Sequence, residues 1–214
     1  MERTGLGSLL EMGFQLTLGL KLSAKNTLEN FIGQENRSLI NFLIEAIDDR
    51  KHAIAHINGQ KKSGKSHLLQ ACCHRLVYQG LQAAYLDMKQ IDSLNILNGM
   101  EQLRLVCFDN WTHGQFDEQQ ITLLKKFVEQ SCRNNHIVLF GSHQDPDTQF
   151  FSSFKQIQYF TVAHPQSSEM PFALHEKMNE RGLQLPVPVQ KIILQKSGNS
   201  VRDLQDILDI IEKS

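Results

Sequence analysis

The feature that most constrains the fold is the loop Gly59–Ser66, whose sequence GQKKSGKS matches the phosphate-binding pattern G-x-x-x-x-G-K-[ST]. Its two glycines allow a tight turn in which successive backbone N–H groups face one set of phosphate oxygens. In such a loop the lysine, Lys65, reaches the β- and γ-phosphates of a nucleotide, and the hydroxyl of Ser66 binds Mg²⁺. The motif therefore predicts a nucleotide site at the start of a helix, whose positive N-terminal end adds to phosphate binding.

The segments on either side of the loop have the order that this motif requires. Ala53–Ile57 before it is a short apolar run, typical of a buried strand. His67–Leu76 after it has the apolar periodicity of a helix. The predicted inward face of that helix carries Leu69, Cys72, Cys73 and Leu76. The alternative interpretation, a surface turn rich in glycine and lysine, leaves the strand–loop–helix order unexplained.

The composition limits the kinds of protein that this chain can be. With 214 residues, 41% hydrophobic and 21% charged, it predicts one globular domain, or one domain with a small appendage. The formal net charge of −1 gives no basic excess for a dedicated DNA-binding surface. The four cysteines lack metal-ligand spacing and predict reduced core residues of a cytoplasmic protein. No apolar run approaches about 20 residues, so we expect no membrane span.

An acidic side chain ends the predicted strand Leu103–Asn110, an apolar run that includes Asp109. An aspartate at the carboxyl end of a buried strand next to the P-loop strand can orient Mg²⁺ and its waters. Many ATPases place a second acid directly after it to polarise the attacking water. Here that residue is Asn110, which cannot act as a base, so we expect slow intrinsic hydrolysis. Asp117 and Glu118 follow, but their position predicts the start of the next helix.

A short alternating segment, Gln15–Leu20, lies near the N-terminus. As a strand it would put three leucines on one face. One interpretation is an edge strand or a terminal arm packed on its own domain. The other is a linear peptide that docks apolar side chains into a pocket of another protein. The segment resembles the pattern Q-L-x-L-x-L by which bacterial proteins bind the β sliding clamp. The residues that match this pattern are Gln15, Leu16, Leu18 and Leu20.

The remaining pattern alternates between strands and helices and then becomes helical only. The other predicted elements of the first part are helices over Glu35–Asp49, Ile91–Met100 and Glu118–Cys132 and strands over Gln82–Asp87, His136–Ser142 and Gln156–Val162. Ser142 at a strand end fits either a nucleotide-sensing residue or a cap. Beyond His164 three helices are predicted, over Gln166–Arg181, Pro188–Lys196 and Ser200–Ile211. Arg202 begins the third and either swings over a γ-phosphate or is an exposed surface arginine.

Three of these segments together resemble the AAA+ core of the bacterial replication initiator DnaA and its helical lid. They are Gly59–Ser66 with the following HLL, Leu105–Asn110, and Gly182–Pro186 leading to Gly198–Leu204. The resemblance runs from Thr27 to the C-terminus. It implies an α/β fold: a P-loop AAA+ core with a five-stranded parallel sheet in the order 5-1-4-3-2, flanked by helices and followed by a small all-α lid. The implied domains are a flexible arm (1–26) with a clamp-binding peptide (15–20), the AAA+ domain (27–163) and the lid (164–214).

The resemblance also implies the residues of the site. A nucleotide, ADP or ATP, would be held by Gly59, Gln60, Lys61, Lys62, Ser63, Gly64, Lys65, Ser66, His67, Phe31, Ile32, Asp109, Ser142 and Arg202. Phe31 and Ile32 precede the P-loop strand, where AAA+ proteins hold the adenine base. Ser66 and Asp109 would bind Mg²⁺.

Among DnaA-related proteins, the chain is similar to the Hda family of regulatory inactivators of DnaA. It ends before the helix-turn-helix domain with which DnaA continues, it carries the clamp-type peptide, and Asn110 follows Asp109 as in that family. The resemblance implies a cytoplasmic negative regulator of replication initiation that binds the DNA-loaded sliding clamp and ATP-bound DnaA. It would promote hydrolysis by DnaA and have weak or no ATPase activity of its own.

The sequence departs from this family where an arginine finger is expected. The segment Phe150–Lys155 contains no arginine, and Lys155 is the nearest cation and the candidate substitute. A lysine is a point charge rather than a planar fork, which makes it a poor replacement. Either Lys155 substitutes weakly, or the segment aligns otherwise, or the protein acts by binding alone.

Other functions remain open from the sequence. An autonomous ATPase, such as a DnaA-like adaptor or helicase loader without inactivator activity, is the main alternative, and Asn110 argues against efficient turnover. A small-molecule kinase would need a dedicated base, for which we find no candidate. We expect no sequence-specific DNA binding and no membrane partner, and a homodimer is compatible with the AAA+ class.

Overall fold

The computed structural model describes residues 16–17, 27–112, 114–146 and 148–213. Its strands are β1 (Leu16–Thr17), β2 (Ala53–Gly59), β3 (Ala83–Asp87), β4 (Leu105–Trp111), β5 (Ile137–Ser142) and β6 (Gln158–Val162). Its α-helices are α1 (Arg37–Asp48), α2 (Lys65–Tyr78), α3 (Glu118–Arg133), α4 (Thr148–Phe151), α5 (Met170–Asn179), α6 (Val187–Ser197) and α7 (Val201–Glu212). Short 3₁₀ turns cover Gln34–Asn36, Met88–Gln90 and Leu94–Leu97.

The strands form one parallel sheet in the order β1-β3-β4-β5-β2-β6. Apart from the two-residue β1, this is the predicted order 5-1-4-3-2, which is confirmed. The same order separates the Asp109 strand β4 from the P-loop strand β2 by β5, so Asp109 lies two strands away from β2 and not on its neighbour. The chain passes from β2 to β3 and then through β4 and β5 back toward β2, and β6 forms on the other side of β2. The direction in which strands are added therefore reverses beside β2. Ligands of such sheets bind at the carboxyl ends of the strands at this point.

Helices cover both faces of the sheet, which explains why the strands are continuous apolar runs rather than alternating ones. On β4, Leu105 and Cys107 face the core formed with α1 and α2. Val106 and Phe108 on the same strand face the core formed with α3. The strands β2, β3, β4 and β5 each supply both cores, and the sheet is fixed rigidly enough to position a site at its carboxyl edge.

The chain beyond β6 is helical, and its three helices share a separate small core. This core contains Met170, Ala173, Leu174, Met178, Ile193, Leu204 and Leu208. The predicted caps are present: the Ser200 hydroxyl accepts the backbone N–H of Asp203 at 3.1 Å, and Gly182 has a φ of +65° just after α5. The predicted division at residues 163 and 164 falls between β6 and α5.

The helix predicted over Ile91–Met100 is wrong. Leu94, Leu97 and Met100 are buried at a spacing of three, but only a 3₁₀ turn forms there. A spacing of three suits a 3₁₀ turn as well as an α-helix, and Gly99 then turns the chain with a φ of +94°.

The cysteines are free, as predicted: Cys72, Cys73 and Cys107 are buried and Cys132 is partly buried. None of the helices in the described part of the chain is long and apolar enough to cross a bilayer.

Candidate nucleotide-binding site

The P-loop connects β2 to α2, and its second glycine is required by a close neighbour. Gly64 has a φ of +102°, which a residue with a side chain rarely adopts. A Cβ on Gly64 would lie 2.6 Å from Cε2 of Phe31, so the Phe31 ring packs directly on the loop. Phe31 also contacts the His67 ring edge-on at 5.3 Å, and the His67 Nε2 atom bonds the Thr27 carbonyl at 2.9 Å. The segment before α1 is thereby attached to the start of α2.

The Lys65 ammonium group is buried and is held by the loop itself. It donates to the carbonyl oxygens of Gly59 at 2.7 Å and Gln60 at 2.8 Å, with the Ser63 hydroxyl at 3.4 Å. Burial lowers the pKa of Lys65 to about 8, and the nearby charge of Asp109 acts in the opposite direction. A cation held only by neutral acceptors in a buried position is well suited to bind an anion.

Asp109 lies at the carboxyl end of β4 and is only 2% exposed. One of its oxygens accepts the Tyr85 hydroxyl, and the other accepts the backbone N–H of Asn110 at 2.8 Å. Tyr85 is also hydrogen-bonded to Ser66. Burial raises the pKa of Tyr85, and the negative charge of Asp109 raises it further. The two predicted Mg²⁺ residues are therefore linked through one tyrosine.

These residues fit a magnesium ion that arrives with a nucleotide. Mg²⁺ commonly binds through one or two protein groups together with phosphates and waters. Among the described residues, no group of three His, Cys, Asp or Glu side chains is arranged to hold a metal by itself. Ser66 is exposed at the cleft and Asp109 is buried behind it, so Ser66 would contact the ion and Asp109 would orient it.

Asn110 does not supply a catalytic base. It lies where the register of β4 and β5 shifts between Phe108 and Trp111, and its φ is +57°. Such a bulge redirects side chains, and the Asn110 amide donates to Asp87 on β3 at 2.8 Å. An amide has no proton-accepting nitrogen, so this position supplies no general base.

A cleft of about 340 Å³ opens between the P-loop and the lid. The predicted residues that line it are Phe31, Ile32, Lys62, Ser63, Gly64, Lys65, Ser66, His67 and Arg202. The predicted residues outside the lining are Gly59, Gln60, Lys61, Asp109 and Ser142. Gly59 lies too close to Ser63 and Val162 to accept a Cβ, so it shapes the loop from behind.

Ser142 has partners that fit the alternative, a strand-end cap. Its hydroxyl is buried, donates to the Gln144 carbonyl at 2.6 Å and contacts Nε2 of His56 at 3.1 Å. The next residue, His143, lines the cleft instead, with Nδ1 at 3.4 Å from the Gly59 carbonyl. Burial and the charge of Lys65 lower the pKa of His143.

The lid covers the cleft with positive charge. Arg202 lies at the start of α7 and pairs with Asp206 at 3.1 Å. Lys177 on α5 is only 3% exposed, bonds Glu180 at 2.7 Å and also lines the cleft. Lys177 was not predictable from the sequence, because nothing in an amphipathic helix marks one lysine as buried. Among the described lining residues there are four Lys or Arg side chains and no acid.

The segment around Lys155 is held by aromatic residues. Phe150, Phe151 and Phe154 are buried. Phe150 and Phe151 pack on Phe140, Phe154 packs on Phe150, and Trp111 is stacked on Phe150 at 5.3 Å. Lys155 follows this cluster and is exposed. It does not line the cleft, so it is available to a partner rather than to a nucleotide bound here.

The clamp-type peptide is mostly outside the described residues. Gln15, Leu18 and Leu20 are not described, and Leu16 is described by its backbone, which pairs with Ala84 of β3. This pairing matches the edge-strand interpretation of the segment.

The sheet order and the loop give this chain the AAA+ fold with a P-loop and a helical lid. No family model matches the sequence. Solved structures of similar fold include AMPPCP-bound DnaA from Aquifex aeolicus, with a TM-score of 0.72 and 19% identity over 89% of this chain and 65% of that one. Domain III of DnaA from Thermotoga maritima matches with a TM-score of 0.71 and 17% identity over 88% of each chain.

DnaI is also similar, with a TM-score of 0.57 and 11% identity over 73% of this chain and 98% of that one. This chain spans about two thirds of the length of the AMPPCP-bound DnaA structures that it matches. Its fold is the AAA+ fold of DnaA domain III.

Proposed function

We propose that this protein is a nucleotide-dependent negative regulator of replication initiation, which binds ATP-bound DnaA and promotes hydrolysis of that ATP. The observation that carries the proposal is a complete phosphate-binding cleft whose expected base is Asn110, tied to Asp87 at 2.8 Å. A protein with this combination binds a nucleotide and turns it over slowly, because the attacking water has no general base. Such a protein acts as a regulator rather than as a motor.

The likeness of fold to DnaA supports the choice of partner. AAA+ domains associate through the face that carries the nucleotide, so a DnaA-like fold is suited to pack against DnaA itself. The exposed Lys155, on a segment held by buried aromatic residues, would then approach the ATP of the partner. A cation placed there stabilises the charge of the transition state, as arginine fingers do.

Localisation to replicating DNA is proposed to come from the N-terminal peptide. Gln15, Leu16, Leu18 and Leu20 would bind the β sliding clamp in an extended conformation. The backbone pairing of Leu16–Thr17 with β3 competes with this binding, because one strand edge cannot serve two partners. Alanine at Leu18 and Leu20 should abolish clamp binding without unfolding the protein, and binding that survives would contradict the assignment.

The second candidate is a DnaA-like adaptor or helicase loader without inactivator activity. It is favoured by the lack of arginine in Phe150–Lys155 and by the likeness of fold to DnaI. In this role the protein would bind its partners and leave their ATP unchanged.

Hydrolysis of ATP by DnaA separates the two candidates. We would measure it with this protein present, with and without DNA-loaded clamp. Clamp-dependent acceleration that is lost in Lys155→Ala supports the inactivator, since loss of a finger costs about 10³–10⁵ in rate. Clamp and DnaA binding without acceleration supports the adaptor. An isolated protein that hydrolyses ATP rapidly would contradict both the regulator and the role given to Asn110.

A further inference from the structure

We propose that Lys62 distinguishes a nucleoside triphosphate from a diphosphate by exchanging Asp203 of the lid for the terminal phosphate. Lys62 bonds Asp203 when no γ-phosphate is present and leaves it when a triphosphate binds. The inference rests on the proposed function, because it takes the cleft to be a nucleotide site.

The backbone of Lys62 gives the first reason for a special role. Lys62 has a φ of +64°, in the left-handed region that favours glycine. A lysine there costs free energy that a glycine would avoid. Residues in such conformations often have a functional constraint. Lys62 also lines the cleft together with Lys65, whereas the neighbouring Lys61 does not.

The partner of Lys62 gives the second reason. Asp203 lies in the first turn of α7, directly after Arg202, and its N–H is capped by Ser200. The Lys62–Asp203 ion pair therefore joins the P-loop to the lid beside the cleft, which Lys62 and Arg202 line. The Lys62 side chain is 53% exposed and that of Asp203 is 36% exposed. Ion pairs with this exposure are weak and exchange readily for a better partner.

A bound triphosphate would supply the better partner. Asp203 carries one negative charge, whereas the terminal phosphate of a triphosphate carries more charge and several acceptor oxygens. In a P-loop the backbone cradles the inner phosphates and the lysine, here Lys65, reaches the β- and γ-phosphates; Lys62 lines the same cleft, and the proposal places its side chain at the γ-phosphate. A diphosphate lacks the group that Lys62 would bind, so the Lys62–Asp203 pair remains. Loss of the pair would release one connection between lid and loop and so report the nucleotide state to a partner.

Two variants that break the same ion pair give opposite predictions. Lys62→Gly suits the backbone at this position and removes the cation. We expect its affinity for a non-hydrolysable ATP analogue to fall about tenfold or more, as for loss of a charge-assisted hydrogen bond. Its affinity for ADP should fall much less than its affinity for the ATP analogue, because in the proposal the Lys62 side chain leaves Asp203 only for the γ-phosphate. Asp203→Asn removes the competitor and should raise affinity for the ATP analogue relative to ADP.

Isothermal titration of the whole chain with ADP and the analogue measures both effects. A pair that only braces the lid would make both variants change in the same direction, which would overturn the proposal. In the double variant Lys62→Gly/Asp203→Asn, the gain in affinity for the ATP analogue from Asp203→Asn should disappear. A gain that persists would mean that it comes from the loss of negative charge at Asp203 and not from the release of Lys62. Lys51→Ala, which breaks an exposed pair with Asp49 at 2.8 Å before the start of β2, at the end of that strand away from the P-loop, is the matched control and should change neither affinity.

The result also separates this inference from the proposed function. Wild-type protein that binds both nucleotides, with Lys62→Gly weakening them equally, overturns the role of Lys62 alone. Wild-type protein that binds neither nucleotide overturns the nucleotide site and this inference together. Thermal unfolding of each variant without ligand confirms that the fold is retained.

Discussion

Lys65, Asp109 and Asn110 together determine what the cleft can do with a phosphate. Lys65 offers a buried cation whose acceptors, among the described residues, are loop oxygens. Asp109 is buried and oriented by Tyr85, so it can hold the ion that accompanies a nucleotide. Asn110 occupies the position after Asp109, where a general base would be expected, and cannot act as one. The balance among these residues favours binding over turnover.

The lowered pKa of Lys65 predicts that nucleotide affinity decreases as the pH rises. In the free protein this pKa is about 8. Contact with phosphate favours the charged form and raises the pKa, so binding takes up a proton once the pH exceeds about 8. Between pH 7 and pH 9 the affinity should fall about tenfold, because the fraction of the free protein in which Lys65 is charged falls by about the same factor. The shift of His143 is downward from 6.5, so His143 titrates outside this range.

Calorimetry in two buffers of different ionisation enthalpy would detect this proton uptake directly. Lys65→Arg is the control, because arginine stays charged at pH 9. Its residual binding should be independent of pH in this range. An affinity for the wild-type protein that does not change between pH 7 and pH 9 would contradict the assignment to Lys65.

At the scale of elements, the aromatic cluster connects the finger segment to the sheet. Phe151 of α4 is fully buried and contacts Phe140 of β5 at 5.2 Å between ring centres. It also contacts His56 of β2 at 4.8 Å, and burial lowers the pKa of His56 to about 4. The segment that ends at Lys155 is therefore packed against the strand that leads into the P-loop.

Truncation of Phe151 tests how strongly this segment is held. Phe151→Ala should lower the free energy of unfolding by about 3–5 kcal/mol, because it removes a buried ring and leaves a cavity. Phe172→Ala is the matched control, since Phe172 on α5 is 62% exposed and its loss should cost less than about 0.5 kcal/mol. Urea denaturation measures both. Equal effects of the two substitutions would mean that the segment is not anchored as described.

The elements differ in how far the sequence predicts them. The strands were predictable because β2, β4 and β5 are apolar runs bounded by polar turns, and the loop motif identifies β2. The turn Leu94–Leu97 was not, since its apolar spacing also fits an α-helix. His143 and Lys177 were missed because their role depends on burial and on contacts between segments distant in sequence. The two-residue pairing of Leu16–Thr17 with β3 depends on an edge that only the folded sheet provides.

At the scale of the whole molecule, polar contacts between described residues join the lid to the AAA+ core. The backbone N–H of Gln34 bonds Glu169 at 2.8 Å, and the Gln166 amide bonds Glu35 at 2.8 Å. Ile32 packs on the lid core, and Lys62 pairs with Asp203. These contacts are mostly polar and exposed, and interfaces of this kind allow domains to move. A nucleotide that contacts both the lid and the AAA+ core would therefore contribute a large part of the interactions that hold them together.

Nucleotide binding should accordingly stabilise the entire chain rather than the P-loop alone. At an ADP concentration of about 100 times Kd, the free energy of unfolding should rise by about 2.7 kcal/mol. Lys65→Ala should abolish this gain, because it removes the cation that binds the phosphates, whereas Lys51→Ala should retain it. Protease cleavage between β6 and α5 should slow in parallel, since cleavage there requires the lid to separate from the core. Stabilisation without slower cleavage would mean that the nucleotide is held by the core alone and that the lid residues Arg202 and Lys177 do not contact it.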